Sequence, residues 1–154
     1  MSEPKIRSYH PISKTSAQKQ TLYFNCIPKM LFSNHDAFIS TVREGAPGHW
    51  LACIVQSNGL EDGIAEALGM TPHQLTEACQ SEVLDRSTTE VVLDIARVLI
   101  VCEAVWGSQN QAIGWLMEPV PALAGNSPLS LLDTYEGRRW VTQTLQKIEQ
   151  GEFS

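Results

Sequence analysis

The stretch Ser87–Trp106 constrains the fold most strongly, because its apolar residues recur at every third and fourth position. This spacing is typical of an α-helix, and two neighbouring apolar stripes cover more than half of the helix circumference. A helix of this kind lies at the centre of a domain or is shared with a second chain. Its longest apolar part, Val91–Trp106, contains charged residues and is shorter than the roughly 20 residues that cross a bilayer. We therefore expect a core helix and not a membrane anchor.

Start and stop signals delimit this helix and several shorter ones. Ser87-Thr88-Thr89-Glu90 has the form of a capping box and predicts the beginning of the central helix, and Gly107 predicts its end. No alternating strand pattern competes after residue 30, so the predicted fold class is all-α. The shorter helices are predicted between Asn34 and Gly45, over His49–Val55 and Ala112–Met117, after Ser127-Pro128, and from Asp133-Thr134 to Gly151.

The stretch Leu60–Cys79 has the residue spacing of a helix-turn-helix. Counted from Glu61, the small residue Ala65 falls at the fifth position, a glycine at the ninth and Leu75 at the fifteenth. The small residue lets two helices approach, the glycine makes the sharp turn, and the branched side chain packs the second helix onto the first. An ordinary pair of helices joined by a glycine turn has the same pattern, and that alternative stays open.

The second helix of this unit is predicted to begin at Thr71-Pro72, with threonine as the cap and proline in the first turn. If the unit reads DNA, the side chains expected to contact base edges are Thr71, His73, Gln74 and Thr76. Residues 44–85, however, contain seven acidic residues and no Lys or Arg. Because much of the affinity for DNA comes from cations that neutralise phosphates, the unit needs cations from elsewhere.

Basic residues are concentrated in the N-terminal part of the chain. Residues 1–43 have a charge of +4, residues 44–85 of −7 and residues 86–154 of −3, within a net charge of −6. We expect residues 1–21 to form a flexible basic arm whose cations, Arg7 and Lys14 among them, contact DNA beside the helix-turn-helix. A tail that only increases solubility has the same composition, so this alternative stays open as well.

Composition and motifs exclude several classes of protein. Of the 154 residues, 43% are apolar and 18% charged, which is typical of a soluble globular protein and not of a disordered one. The four cysteines lie more than twenty residues apart without a C-x-x-C pair, so we expect reduced thiols and no metal site. Since no signal-peptide pattern is present, we expect a cytoplasmic protein. Walker, G-x-S-x-G and G-x-G-x-x-G motifs are missing, so we expect no catalytic residue, no enzyme activity and no cofactor.

A series of short motifs runs through the last 68 residues, Ser87–Ser154. They are Trp106-Gly107, Ala112 with Trp115-Leu116, Pro119-x-Pro121-Ala122-Leu123, Ser127-Pro128-Leu129 with Leu131-Leu132-Asp133-Thr134, Gly137, and Leu145-x-x-Ile148-Glu149-x-Gly151. In order and spacing these motifs resemble the toxin-binding domain of Xre/MbcA/ParS-type antitoxins. The helix-turn-helix before them is similar to the Xre-like N-terminal half expected in the same family.

Composition and the resemblance together divide the chain into three regions. Composition predicts the arm at residues 1–21 and a helical region with the helix-turn-helix at 22–85, and the resemblance implies the toxin-binding domain at 86–154. It implies an antitoxin of a type II toxin–antitoxin system that occludes the active site of an NAD-degrading RES-domain toxin. With its toxin bound, the antitoxin would repress its own operon through operator DNA. We also expect self-association within a symmetric complex, because one helix-turn-helix rarely binds a half-site tightly. The alternative is a stand-alone helix-turn-helix repressor or adaptor without a toxin.

The expected toxin-binding surface lies near the C-terminus. The tail Gly151–Ser154 combines an aromatic residue with charged neighbours, which is the composition of an interface hot spot. We expect this tail to dock at the mouth of the toxin's active site; a frayed terminus is the alternative. Trp140 is a further interface candidate. The residues assigned to toxin binding are Trp115, Leu123, Arg138, Arg139, Glu149, Gly151, Glu152, Phe153 and Ser154.

Overall fold

The computed structural model of the chain describes residues 26–56 and 59–152. Within these ranges the chain forms seven α-helices and three short 3₁₀ helices, and no strand. The prediction of an all-α fold is confirmed for the described residues, whereas the predicted arm at residues 1–21 lies outside them. The α-helices are α1 (His35–Glu44), α2 (Gly48–Val55), α3 (Glu61–Leu68), α4 (Pro72–Gln80), α5 (Arg86–Trp106), α6 (Gln109–Met117) and α7 (Tyr135–Glu149); the 3₁₀ helices are η1 (Lys29–Phe32), η2 (Pro121–Leu123) and η3 (Pro128–Leu131).

α5 is the central helix that its apolar stripes predict. Eight of its residues are buried, and α7, α6, α1 and α3 all pack against it. Ile27 and Leu31, at the N-terminal end of the described chain, belong to the same hydrophobic core as the buried residues of α7. The predicted regions 22–85 and 86–154 therefore share one core. Among the described helices, none has the length and apolarity that crossing a bilayer requires.

The beginning of α5 differs from the prediction. The helix is capped by Asp85, whose carboxylate accepts a hydrogen bond from the Thr88 N–H at 2.7 Å. The Ser87 hydroxyl donates to the same carboxylate, and the buried Thr89 hydroxyl accepts from the Ala46 N–H at 3.0 Å. The predicted cap at Ser87 is therefore wrong by two residues. Asp85 offers a charged acceptor at the same spacing, and Thr89 is engaged in a tertiary hydrogen bond.

α3 and α4 form the closely joined helix pair that the spacing predicts. Gly69 ends α3 in the left-handed conformation, with φ of +66°, and the Met70 N–H donates to the Ala65 carbonyl at 2.9 Å. Thr71 caps α4 in a reciprocal box, because its hydroxyl accepts from the Gln74 N–H while the Gln74 side chain accepts from the Thr71 N–H. Local hydrogen bonds thus satisfy both helix ends at this turn.

The cysteines correct the expectation of four reduced thiols. Cys26, in the turn before η1, and Cys53, in α2, form a disulfide with their Cα atoms 6.4 Å apart. Cys79 and Cys102 are free thiols. Because 27 positions separate the bonded pair along the chain, their spacing does not indicate the pairing. The pairing follows from the tertiary position of residue 26 beside α2.

The connection from α6 to α7 is less regular than predicted. Ser127-Pro128 begins only the 3₁₀ helix η3 and not an α-helix. Thr134 caps α7 as predicted, since its hydroxyl accepts from the Gly137 N–H at 2.9 Å. α7 stops two residues before Gly151, which has φ of +75°. In the C-terminal part of the chain, α6 and α7 therefore both pack against α5, and the two short 3₁₀ helices η2 and η3 connect α6 to α7.

Candidate functional site

A buried arginine anchors the beginning of α7. Arg138 is only 7% exposed, and its Nε donates to the Asp94 carboxylate on α5 at 2.6 Å. Its Nη1 donates to the Leu132 carbonyl at 2.8 Å. A side chain at the adjacent Gly137 would collide with the Leu131 carbonyl, so α7 begins in close contact with the end of η3. Arg138 therefore joins α5, η3 and α7 from within and offers little surface to a partner.

A polar groove of about 350 Å³ lies between α5 and α7. On its α5 side, Arg97 donates through Nη2 to Asp94 at 2.9 Å, and its guanidinium carbon lies 4.7 Å from the ring centroid of Phe38 on α1. Three guanidinium groups and one carboxylate line the groove. Its α7 side consists of Tyr135, Arg138, Arg139, Thr142, Gln143 and Gln146.

The outer face of α7 carries exposed aromatic side chains. Tyr135 is 68% and Trp140 is 37% exposed, and Arg139 is exposed beside Glu136, with Nη1 and Oε1 3.4 Å apart. Tyr135 is absent from the predicted site. Its position four residues before Arg139, on the same side of a helix, is the signal that could have identified it. Exposed aromatic residues next to arginine are typical of the central contacts in protein interfaces.

Two other predicted residues lie deeper. Trp115 on α6 is half-buried, with its ring centroid 6.0 Å from that of Trp106. Leu123 in η2 is fully buried, so in this conformation a partner cannot touch its side chain. Leu123 therefore belongs to the hydrophobic core, where η2 packs against α7.

The C-terminal end of α7 is exposed. Glu149, Gly151 and Glu152 all lie at the surface. The Glu152 N–H donates to the Lys147 carbonyl at 2.9 Å across the left-handed Gly151, which closes the helix. The predicted contacts Phe153 and Ser154 lie outside the described residues. The part of the tail that is described starts at an exposed helix end.

The side chains predicted to read DNA are largely engaged within α4. Thr71 and Gln74 form the reciprocal cap, and the Thr76 hydroxyl donates to the backbone carbonyl four residues before it at 3.1 Å. The His73 side chain is 82% exposed, and its Nε2 lies 3.3 Å from a Glu77 carboxylate oxygen. The His73 side chain is thus exposed, but an acidic side chain accompanies it.

The surroundings of α4 are acidic. All seven carboxylates of residues 44–85 belong to exposed residues. Arg7 and Lys14, predicted to supply cations, lie outside the described residues. The described part of this unit therefore contains no group that could neutralise a phosphate through a full positive charge, apart from a protonated histidine.

Comparison with known proteins shows what the C-terminal part of the chain is similar to. Residues 102–151 match the family model described as the antitoxin Xre/MbcA/ParS C-terminal toxin-binding domain. A curated protein from Sphingobium sp. (strain YBL2), named Prs ADP-ribosylating antitoxin, is 31% identical over 87 residues. The match covers 51% of this chain and 55% of that protein, so the chain spans about half the length of this relative.

The matched residues correspond to structural elements already described. They include the last turn of α5, the whole of α6, η2, η3 and α7, and the helix end at Gly151. The motifs that carry the resemblance in the sequence lie in the same elements. The similarity to the Xre/MbcA/ParS-type antitoxin toxin-binding domain thus covers the elements from the end of α5 to the end of α7.

Proposed function

We propose that this chain is an antitoxin that binds and neutralises a protein toxin through residues 102–151. The match of these residues to a toxin-binding domain carries the proposal. The curated relative from Sphingobium sp. is also named an antitoxin. The ion pair of Arg138 with Asp94 holds α7 against α5, so the outer face of α7 is rigid before a partner arrives. A rigid surface loses less conformational entropy on binding.

We further propose that the toxin has a RES domain and consumes NAD. The name of the relative refers to ADP-ribosylation, a reaction in which NAD donates the ADP-ribose group. Between hydrolysis of NAD and transfer of ADP-ribose to a target, this name favours transfer. In this proposal the chain has no catalytic role and needs no cofactor, because occupying the toxin's active site is sufficient for neutralisation.

The outer face of α7 and the tail are the proposed contact surface. Tyr135, Arg139 and Trp140 are exposed on the helix, and the exposed Gly151 and Glu152 lead into the last two residues. The side chains of Glu152 and Phe153 would add a negative charge and an aromatic group. We propose that the helix face provides affinity and that the tail enters the active-site mouth.

Co-expression with a RES-domain toxin tests the proposal. We expect growth and cellular NAD to be restored by the full chain. Removing Gly151–Ser154 should abolish protection while leaving the fold intact, because the two backbone hydrogen bonds given for the described part of this segment, from the N–H groups of Gly151 and Glu152, only close the end of α7. A matched control replaces the four residues by Gly-Ser-Gly-Ser, which keeps the length and removes the Glu152 carboxylate and the Phe153 ring. Full protection by either variant would contradict the role of the tail.

We also propose that α3 and α4 bind operator DNA as a helix-turn-helix, so that the antitoxin represses its own operon. The left-handed Gly69 turn and the exposed His73 support this role. The exposed carboxylates of residues 44–85 oppose unaided binding. The cations that neutralise the phosphates must then come from residues 1–21 or from a bound toxin. We propose that the complex is symmetric and that it forms in the cytoplasm.

Operator binding should therefore depend on the toxin or on the arm. We expect a mobility-shift assay with the promoter DNA to show weak binding by the chain alone and tighter binding in the toxin complex. Deleting residues 1–20 in both states separates the two sources of cations. Tight binding by the chain alone, with no effect of a toxin on growth, would instead support a stand-alone repressor.

A further inference from the structure

We propose that Cys26 and Cys53 form a reversible, redox-controlled crosslink that fastens the segment around η1 to α2. Their Cα atoms are 6.4 Å apart, within the span of roughly 4.4–6.8 Å that a disulfide bridges. One partner lies at the beginning of the described chain and the other in the middle of a helix that packs along α4. This inference does not depend on a toxin and is testable on the isolated chain.

The two cysteines differ in their access to solvent. Cys26 is half-buried, whereas Cys53 is 8% exposed on the inner side of α2. A small disulfide, such as oxidised glutathione, therefore reaches Cys26 first. The difference in access predicts the order of the chemical steps.

In the first step the Cys26 thiolate attacks one sulfur of oxidised glutathione. The S–S bond of glutathione breaks, one glutathione leaves and takes up a proton, and a mixed disulfide remains on Cys26. The Cys53 thiolate then attacks the Cys26 sulfur and releases the second glutathione as a thiol. The two protein thiols lose two electrons and two protons in total, and one glutathione disulfide is reduced to two thiols.

The remaining two cysteines serve as internal controls. Burial, together with the charge of Glu103, raises the pKa of Cys102 to about 12, and its Sγ lies 3.8 Å from the Ala112 carbonyl oxygen. Burial also raises the pKa of Cys79 on α4, and Glu61 adds to the effect. Both thiols stay protonated and react slowly, since the thiolate is the nucleophile.

The crosslink restrains a segment that has few other anchors. In residues 26–32, Ile27 and Leu31 are the fully buried side chains, while residues 28–30 are exposed. Lys29 lies close enough to Glu103 on α5 for its charge to oppose the rise that burial causes in the pKa of Glu103. The half-buried Phe32 adds an edge-to-face contact with Phe38, their ring centroids 6.3 Å apart. Three apolar side chains still offset only part of the conformational entropy lost by seven ordered residues. Reduction should therefore loosen this segment over α5, at the first residues of the toxin-binding domain.

The test titrates the full chain in glutathione buffers from reducing to oxidising, followed by acid trapping and mass spectrometry. We expect the wild type to lose two hydrogens in one transition, and Cys79→Ser and Cys102→Ala to keep that transition. Cys53→Ser should accumulate one glutathione on Cys26, and Cys26→Ser should remain reduced. Amide exchange of the unsubstituted chain in both redox states completes the test. Protection of residues 27–33 should fall about tenfold on reduction, as a local opening would produce.

Three results would overturn the inference. The first is a wild-type chain that forms no internal disulfide at any glutathione ratio, or one that involves Cys79 or Cys102. The second is a disulfide that persists in the most reducing buffer, which indicates a permanent structural bond. The third is equal amide exchange of residues 27–33 in the two redox states. The exchange measurement needs no substitution, so misfolding of a cysteine variant cannot obscure it.

Discussion

The α3–α4 unit and α7 use their polar side chains in opposite ways. In α4, Thr71, Gln74 and Thr76 form hydrogen bonds within their own helix. In α7, Arg138 is placed in a tertiary ion pair, and aromatic side chains remain exposed on the outer face. Local hydrogen bonds stabilise a helix end but leave little to contact a ligand. A tertiary anchor leaves the rest of its helix available, so α7 is better prepared for a partner than α4.

The largest expected change in the free energy of unfolding follows from replacing Arg138, which joins α7 to α5. Arg138→Leu removes a guanidinium that is 8% exposed from a carboxylate that is 18% exposed, and leaves the Leu132 carbonyl without its donor. Breaking such a buried pair costs about 3 kcal/mol in the free energy of unfolding, measured by urea denaturation. Arg139→Leu, one residue along and exposed, is the control and should change it by less than about 0.5 kcal/mol. Equal changes in the free energy of unfolding would contradict the conclusion that Arg138 anchors α7 while Arg139 lies on its surface.

The next effect concerns binding and not stability. Tyr135→Ala removes a ring that is 68% exposed, so the free energy of unfolding should hardly change. The affinity for the toxin, measured by calorimetry, should fall about 30-fold, or about 2 kcal/mol, if this ring is a central contact. Lys147→Ala, also exposed on α7, serves as the matched control. An unchanged affinity for Tyr135→Ala would remove this residue from the proposed interface.

The glycines Gly69, in the turn between α3 and α4, and Gly114, inside α6, allow the same substitution to be compared in a turn and in a regular helix. Gly69 has φ of +66°, whereas Gly114 lies inside α6 with ordinary helical φ, and a Cβ at either position would meet nothing within 4 Å. Gly69→Ala should lower the free energy of unfolding by about 1 kcal/mol through backbone strain. Gly114→Ala should raise it by about 0.5 kcal/mol, because alanine loses less entropy in a helix. Thermal unfolding measures both, and the same sign for both would contradict the role of the turn.

The smallest expected effect is the contribution of Asp85, which caps α5, to the pH dependence of the free energy of unfolding. Its hydrogen bonds from Thr88 hold the pKa of the carboxyl below its ordinary value. The stabilisation is therefore fully present above the unfolded-state pKa, near pH 4, and is lost as the pH falls through the folded pKa. Asp85→Ala should cost about 1 kcal/mol at pH 7 and less in acid. Asp85→Asn keeps a capping oxygen but does not titrate, so it should flatten this part of the curve of unfolding free energy against pH.

Local signals in the chain predicted much of the secondary structure. Asn34 caps α1 and Gly45 ends it, Gly107 ends α5, and Thr134 caps α7. These features depend on hydrogen bonds and φ values within a few residues, which short sequence patterns encode directly. The prediction at Ser87 was wrong because two acceptors compete at the same spacing there, and the tertiary bond of Thr89 is not visible in a pattern.

The candidate surface was only partly predictable for the same reason. Arg138 and Arg139 are adjacent and chemically identical in the sequence, yet one is buried and the other exposed. Their difference depends on Asp94, forty-four positions away. Leu123 belongs to a recognised motif but is buried, whereas Tyr135 lies on the surface without having been predicted. Burial depends on which elements pack together, and the spacing of residues along the sequence does not reveal this packing.

By itself the sequence determined an all-α chain and the helix pair around Gly69, because helix periodicity, capping and glycine turns are local properties. It also contained the motifs that resemble an antitoxin toxin-binding domain. The tertiary structure alone decided three further points. It placed Arg138 inside, exposed the outer face of α7, and brought Cys26 to Cys53. Each of these depends on contacts between residues far apart in the chain, and those contacts form only when the helices pack around α5.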